Sequence, residues 1–183
     1  MRFRKLDMDG LILAEPRVYT DARGSFMESF RADLWEQELG PLYFIQENES
    51  HSLRGVLRGL HFQEAPYAQS KLVRVVRGCV RDVVVDLRPD SSGYGQYHAE
   101  LLSEENKLQL FVPKGFAHGF LVLSDEALVQ YKVDAPYAPQ AERCLRFDDA
   151  ELQIDWGLPA SECILSEKDR KGLSLREIMG GRL

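Results

Sequence analysis

One short segment places a side chain suited to proton transfer between apolar residues and near two cations. In Leu57-Arg58-Gly59-Leu60-His61-Phe62-Gln63, His61 has apolar neighbours on both sides, Arg58 precedes it and Lys71 follows it. Histidine takes up and returns a proton near neutral pH more readily than other side chains. A partly enclosed base beside cations suits removal of a proton from a carbon acid whose product is an anion. The segment therefore predicts an enzyme site, in preference to a structural histidine bonded to a backbone carbonyl.

Three other residues could take part in the same chemistry. Asp169 could hold the second ring nitrogen of His61, which would fix the tautomer and stabilise the imidazolium; the alternative is a carboxylate that only serves a helix N-terminus. Tyr131 could be a general acid opposite the histidine, or a packed aromatic residue of a strand. Lys71 and Arg58 would stabilise an enolate or phosphate oxygen if they lie in a pocket, and are otherwise surface charges.

The sequence contains no glycine-rich phosphate loop of the Walker or Rossmann type. A nucleotide would therefore have to be held by side chains and by stacking. In Arg23-Gly24-Ser25-Phe26, the arginine could approach a phosphate and Phe26 could stack on a base, and Glu28 follows in the same segment. The alternative is that Arg23 and Glu28 are charges on the protein surface with no part in binding.

The segment Pro113-Lys114-Gly115-Phe116-Ala117-His118 has the spacing PxGxxH. It resembles the second sequence motif of the cupin superfamily, in which the histidine often binds a metal. That metal site also needs an HxH pair, which this chain lacks, and Val122 stands where an asparagine is usual. Histidine and carboxylate ligands must converge to hold a metal. The motif therefore favours a cupin-type fold, and we expect no metal and no other cofactor.

Composition is that of an ordinary globular protein. The chain has 183 residues, 44% of them hydrophobic and 28% charged, and we expect one domain over residues 1–183. A formal charge of −6 gives no general attraction to nucleic acid or to an anionic membrane. Cys79, Cys144 and Cys163 show no CxxC spacing, and no signal sequence or transmembrane-length segment is apparent. These features predict packed, reduced thiols and a cytoplasmic location.

Short strands separated by Gly, Pro and Asp turns run from Tyr43 to Phe147 without interleaved helices. This pattern predicts an all-β fold, and we favour an antiparallel jelly-roll barrel with a few short peripheral helices. One helix is predicted to begin at an Asp33 N-cap and to end at Gly40-Pro41. Others are predicted to begin around Ser166 and Ser174.

Six segments together resemble the dTDP-4-dehydrorhamnose 3,5-epimerase family over nearly the whole chain, from about Leu11 to Leu173. They are Leu57 to Gln63, Gln69 to Arg74, Val83 to Arg88, Leu102 to Lys107, Val112 to Phe120 and Leu165 to Asp169. The resemblance implies a cofactor-free cupin-type jelly roll, usually a homodimer, that inverts C3 and C5 of a dTDP-4-keto sugar. It implies no nucleic-acid or membrane partner.

The resemblance also assigns roles to residues. It implies that His61 is the base paired with Asp169, that Tyr131 is the acid and that Lys71 steadies the enolate. It implies substrate contacts for Arg23, Glu28, Gln46, Asn48, Arg58, His118, Glu142 and Lys168, to which we add Phe26 as a stacking residue. Three alternatives stay open: an epimerase acting at one carbon of another dTDP-4-keto sugar, a metal-dependent cupin enzyme, and a cupin that binds a sugar without catalysis.

Overall fold

The computed structural model describes residues 1–180, in which thirteen strands account for most of the regular structure. The strands are β1 (Arg2–Lys5), β2 (Ile12–Glu15), β3 (Val18–Asp21), β4 (Gly24–Met27), β5 (Gln46–Leu53), β6 (Leu57–Gln63), β7 (Lys71–Arg77), β8 (Cys79–Asp86), β9 (Tyr97–Ser103), β10 (Gln109–Val112), β11 (Phe116–Val122), β12 (Glu126–Val133) and β13 (Glu142–Cys144). The helices are α1 (Ala32–Leu39), α2 (Glu167–Arg170) and α3 (Leu175–Gly180), with 3₁₀ turns at Pro139–Ala141 and Ala160–Glu162. None of the described helices is long and apolar enough to cross a membrane.

The strands form two large antiparallel sheets and one separate hairpin. The six-stranded sheet has the order β1-β2-β10-β7-β12-β5, and the five-stranded sheet has the order β13-β6-β11-β8-β9. Strands β3 and β4 pair only with each other among the described strands. This arrangement confirms the predicted all-β, antiparallel jelly roll with short peripheral helices.

Alternation along the strands sends one set of side chains between the two sheets. Val73 and Val129 of the six-stranded sheet pack with Val84 and Phe120 of the five-stranded sheet in one buried cluster. The other face of the five-stranded sheet is covered by the C-terminal part of the chain, where Trp156 is buried. The space between the sheets is therefore a packed core, interrupted only where strands carry inward-facing polar residues.

The helix predictions were largely correct, with one error at a helix start. Helix α1 begins at Ala32 with Arg31 as its N-cap, so Asp33 lies in the first turn and is not the cap predicted. Asp33 accepts hydrogen bonds from the Arg31 side chain instead. Gly40 ends α1 as expected, and Ser166 caps α2 by accepting a bond from the Asp169 amide.

Two glycines let β6 and β11 approach each other closely. A Cβ on Gly119 would lie 2.6 Å from the carbonyl oxygen of Arg58 and 3.0 Å from Cα of Gly59. Gly59 has φ +127°, a conformation that side chains rarely adopt, and a Cβ there would lie 2.5 Å from Cα of Gly119. Both strands therefore require glycine at this point, close to the paired residues His61 and His118.

Candidate active site

Two adjoining cavities open between the sheets and share His61, Lys71 and Tyr131 in their walls. The first, of about 290 Å³, is also lined by Gln46, Asn48, Phe62, Gln63, Gln69, Tyr137 and Glu142. The second, of about 330 Å³, is also lined by Ser50, Arg58, His118, Phe120, Ser166, Lys168 and Asp169. The shared residues lie where the two cavities meet, so a ligand that fills both would contact all three.

His61 and Asp169 form a hydrogen-bonded pair at this junction. Nε2 of His61 lies 2.6 Å from Oδ1 of Asp169, and Ser166 Oγ donates to Oδ2 of the same carboxylate at 2.7 Å. Burial alone would raise the pKa of Asp169, but the bonds from His61 and Ser166 hold that pKa below its ordinary value. The carboxylate therefore stays ionised and accepts the Nε2 proton, which leaves Nδ1 of His61 as the nitrogen that can accept another.

Lys71 lies beside His61 in a buried position that destabilises its charged form. Its Nζ donates to the backbone carbonyl of His61 at 3.3 Å. Burial lowers the pKa of Lys71 to about 8, against the opposing influence of the Asp82 and Glu142 carboxylates. The nearby carboxylates do not fully offset the cost of burying this ammonium group. It would therefore strongly stabilise a developing oxyanion in the cavity.

Tyr131 reaches the cavities from the opposite wall. It belongs to β12 of the six-stranded sheet, whereas His61 belongs to β6 of the five-stranded sheet. Burial raises the pKa of the Tyr131 phenol, and Glu142 acts in the same direction while Arg58 opposes it. The phenol is therefore protonated near neutral pH. Like His61, it lines both cavities.

A charged cluster borders the first cavity. The Lys168 ammonium forms an ion pair with Glu142, and the Tyr137 hydroxyl donates to the same carboxylate. Burial would raise the pKa of Glu142, but these two partners hold it below its ordinary value. Glu142 in turn raises the pKa of Lys168 above its ordinary value, against the effect of burial. Both groups are therefore charged, and Lys168 carries its charge into the neighbouring cavity.

His118 has a buried carboxylate behind it. It opposes His61 across β11 and β6, and its Nε2 lies 2.9 Å from Oδ2 of Asp82, which is fully buried. Because the carboxylate accepts the Nε2 proton, Nδ1 is the nitrogen left for the cavity. Asp82 was not anticipated from sequence, because a single acidic residue in an apolar strand shows no spacing that marks its partner.

Most of the residues predicted for the site line these cavities, including the whole proposed catalytic set and six of the proposed substrate contacts, Gln46, Asn48, Arg58, His118, Glu142 and Lys168. Three are placed elsewhere. Arg23 and Phe26 border a separate cavity of about 470 Å³ on the β3–β4 hairpin, and Glu28 lies 3.8 Å from Arg31 in an exposed ion pair. The single chain does not bring these three to the junction.

Several lining residues were missed by sequence reasoning. Ser166 was predicted only as a helix start. An N-cap side chain contacts the residue three positions later in the chain, which here is Asp169, so the spacing did carry a signal for this contact. Gln63 is buried and bonded to backbone groups of the loop after β6 and of the loop after β12, and Tyr137 belongs to the second of these loops. Loop residues carry no periodic signal, so nothing in the sequence pattern pointed to Tyr137.

Comparisons with known proteins agree on one family. A family model described as dTDP-4-dehydrorhamnose 3,5-epimerase matches residues 5–177. The dTDP-4-dehydrorhamnose 3,5-epimerase of Methanothermobacter thermautotrophicus is 51% identical over 96% of this chain and 95% of its own length. The Escherichia coli enzyme of the same name is 47% identical over 98% of this chain and 97% of its own.

A solved structure gives the same result in three dimensions. The dTDP-6-deoxy-D-glucose-3,5-epimerase of Legionella pneumophila, in complex with dTDP-4-keto-L-rhamnose, is 44% identical to this chain. It superposes with a TM-score of 0.93 and covers all of this chain and 96% of its own.

Proposed function

Since this chain belongs to the dTDP-4-dehydrorhamnose 3,5-epimerase family, we propose that it converts dTDP-4-dehydro-6-deoxy-D-glucose to dTDP-4-dehydro-L-rhamnose. The reaction inverts C3 and C5 and belongs to dTDP-L-rhamnose biosynthesis. One observation carries the proposal: a base, His61, and a weak acid, Tyr131, come from opposite sheets and border the same cavities. Inversion of a carbon needs a proton removed from one face and returned to the other, and this arrangement provides both.

The first step is removal of a proton next to the 4-keto group. That carbonyl acidifies the hydrogens on C3 and on C5, and Nδ1 of His61 accepts one of them. Asp169 stabilises the imidazolium that forms, because its ionised carboxylate already accepts the Nε2 proton. The Lys71 ammonium stabilises the enolate oxygen. A general base contributes about 10²–10⁴-fold and a positioned charge at the oxygen about 10²–10³-fold.

The second step returns a proton from the other side of the ring. The Tyr131 phenol, kept protonated by burial, donates to the opposite face of C5 and inverts that centre. His61 then releases its proton to solvent and Tyr131 regains one, after which the sugar presents C3 to the same base. These steps use side chains alone.

The nucleotide part of the substrate needs cations and a stacking surface. Arg58 and Lys168 border the second cavity beside His118 and supply positive charge for a diphosphate. Arg23 and Phe26 lie on the exposed β3–β4 hairpin, where the Arg23 side chain is 90% exposed, and Glu28 directly follows the hairpin. We propose that the protein is a homodimer in which the β3–β4 hairpin of a second copy brings these three residues to the site. We further propose a cytoplasmic location, in which the free thiols stay reduced.

The proposal is tested by incubating chelator-treated protein with dTDP-4-keto-6-deoxyglucose in D₂O and following the sugar by NMR. We expect deuterium at both C3 and C5, together with the coupling constants of the L-rhamno product. Deuterium at only one carbon would show that the protein is a mono-epimerase and would contradict the proposal. If neither carbon exchanged, the proposed catalysis would be refuted and only a binding role would remain.

A further inference from the structure

A thiol lies directly behind the proposed catalytic base. Cys144 of β13 is the register partner of His61 in β6, so their side chains leave the sheet on the same face. Its Sγ lies 3.9 Å from Oδ1 of Asp169, the oxygen that also contacts His61. A ring nitrogen of His61, Sγ of Cys144 and a carboxylate oxygen of Asp169 all lie within 4.8 Å of one another. The described mechanism uses two of these groups and leaves the thiol without a role.

We propose that His61, Cys144 and Asp169 form an inhibitory binding site for a thiolate-binding divalent cation such as Zn²⁺. Imidazole nitrogen, thiolate sulfur and carboxylate oxygen are the three ligand types that zinc takes from proteins. The effect on catalysis rests on the proposed function, because the cation would occupy the nitrogen through which Asp169 supports the base. The binding site itself does not depend on that function.

The three ligands are fixed by the backbone. Strand β13 is hydrogen-bonded to β6 around the pair, with Leu145 N donating to Leu60 O at 2.8 Å. The segment that follows α2 is tied to the same strand, with Leu173 N donating to Cys144 O at 2.8 Å. Zinc bonds of about 2.0–2.3 Å put tetrahedral ligand atoms roughly 3.3–3.7 Å apart. Side-chain shifts of about 1 Å would therefore bring the three atoms to zinc geometry, without movement of the strands.

Charge and burial also suit a dication. Cys144 is 8% exposed and Asp169 4% exposed, so an ion at this position would be shielded from water. A thiolate and a carboxylate carry two negative charges, which neutralise one Zn²⁺. Burial and Asp169 raise the pKa of the Cys144 thiol to about 12, so the free protein holds a neutral thiol. A coordinated thiol loses its proton to the metal's charge, and binding therefore releases one proton to solvent.

Coordination would disable His61 as a base by changing its tautomer. In the free protein the imidazole carries its proton on Nε2, which faces Asp169, and Nδ1 has a lone pair for the substrate. A metal on Nε2 needs the lone pair of that nitrogen, so the proton of the neutral imidazole moves to Nδ1. A protonated Nδ1 has no lone pair with which to accept a proton from the sugar carbon. Because the ion lies behind the histidine, it should reduce kcat far more than it raises KM.

Cobalt(II) provides a direct test, because a cobalt–thiolate bond gives a charge-transfer band in the near ultraviolet. We expect this band when Co²⁺ is added to the chelator-treated protein, its removal by Zn²⁺, and its absence in Cys144→Ser. The matched control is Cys163→Ser, which removes a free thiol that is bonded to Pro159 of its own loop, and this variant should leave the band unchanged. His61→Asn changes a half-buried ligand and should weaken cobalt binding at least about tenfold, which keeps the test open if Cys144→Ser fails to fold.

Inhibition of the epimerase is the second readout. We expect Zn²⁺ to lower kcat with little change in KM, and Cys144→Ser to raise the half-inhibitory zinc concentration at least about tenfold while retaining turnover without zinc. The site would be disproved by a cobalt band that survives in Cys144→Ser, by its loss in Cys163→Ser, or by no band in the native protein. A Cys144-dependent band in a protein that shows no epimerisation would support the metal site and refute the proposed function alone.

Discussion

Nε2 of His61 lies 2.6 Å from Oδ1 of Asp169, although 108 residues separate the two in the chain. The contact joins a strand of the five-stranded sheet to the short helix α2 near the C-terminus. It orients the imidazole so that one nitrogen is held by a carboxylate and the other is left for a substrate. Turnover and its pH dependence should therefore depend on this pair and on the groups around it.

His61→Asn should abolish turnover. The amide cannot accept a carbon-bound proton, so we expect kcat to fall by at least about 10²-fold with circular dichroism and Tm unchanged. NMR in D₂O should show loss of exchange at C3 and at C5 together, because one base serves both carbons. Retention of more than about a tenth of the activity would contradict the role of His61.

Tyr131→Phe should separate exchange from inversion. Removing the hydroxyl leaves His61 able to take a proton from C5 and to return a deuteron to the same face. We therefore expect deuterium to enter C5 of the starting sugar while its inversion slows by about 10²-fold. If exchange and inversion slowed equally, the tyrosine would not be the acid that completes the step.

Ser166→Ala should weaken the dyad without removing either member. The serine hydroxyl donates to Oδ2 of Asp169 at 2.7 Å and helps hold the pKa of that carboxyl down. We expect kcat to fall by about tenfold with KM little changed. We also expect the acidic limb of the pH–activity profile to move to higher pH. Ser174→Ala is the matched control, because Ser174 precedes α3 and bonds Glu177 instead. An equal loss in both variants would indicate a general effect of helix capping.

The jelly roll could be predicted because short strands are separated by Gly, Pro and Asp turns with no interleaved helices. Alternation was no guide along β10 and β11, where every residue is buried. Residue types and the family resemblance then identified His61, Lys71, Tyr131 and Asp169, all of which border the same cavities. Asp82 escaped prediction because its importance comes from a neighbour on another strand, which no local pattern encodes.

Tyr137 was missed for a related reason. It lies in a loop whose path is fixed by tertiary hydrogen bonds, including those of Gln63 to Pro136 and Ala138. Arg23 and Glu28 were predicted from the resemblance, and Phe26 was predicted as a stacking residue from its place near Arg23. The single chain places all three away from the junction of the two cavities.

The pH profile should report Lys71. Burial lowers its pKa to about 8 in the free protein, and only the ammonium form stabilises an enolate oxygen. We therefore expect kcat/KM to fall as the pH rises through about 8, since kcat/KM reports groups of the free enzyme. Lys71→Arg keeps its charge at higher pH, so its activity, though lower, should lack this alkaline limb. An unchanged limb in Lys71→Arg would assign it to another group.

Two inactive variants should complement each other if the hairpin of one copy serves the site of another. Mixing Arg23→Ala with His61→Asn under conditions of subunit exchange should restore about a quarter of native activity. Half of the dimers are then mixed, and each mixed dimer has one site with both residues intact. Asp169→Ala mixed with His61→Asn is the control, because this pair acts within one chain and should restore nothing. Failure of the first pair would place Arg23 in its own chain's site or outside catalysis.

The close approach of Gly59 and Gly119 has a consequence for reading genetic variation. Every single-base change of a glycine codon that encodes another amino acid adds a Cβ, and a Cβ at either position would meet backbone atoms of the neighbouring strand. A saturation mutagenesis screen should therefore score both glycines as intolerant as His61, although neither has a side chain that could touch a nucleotide sugar. At these two positions, loss of fitness would report the spacing of two strands.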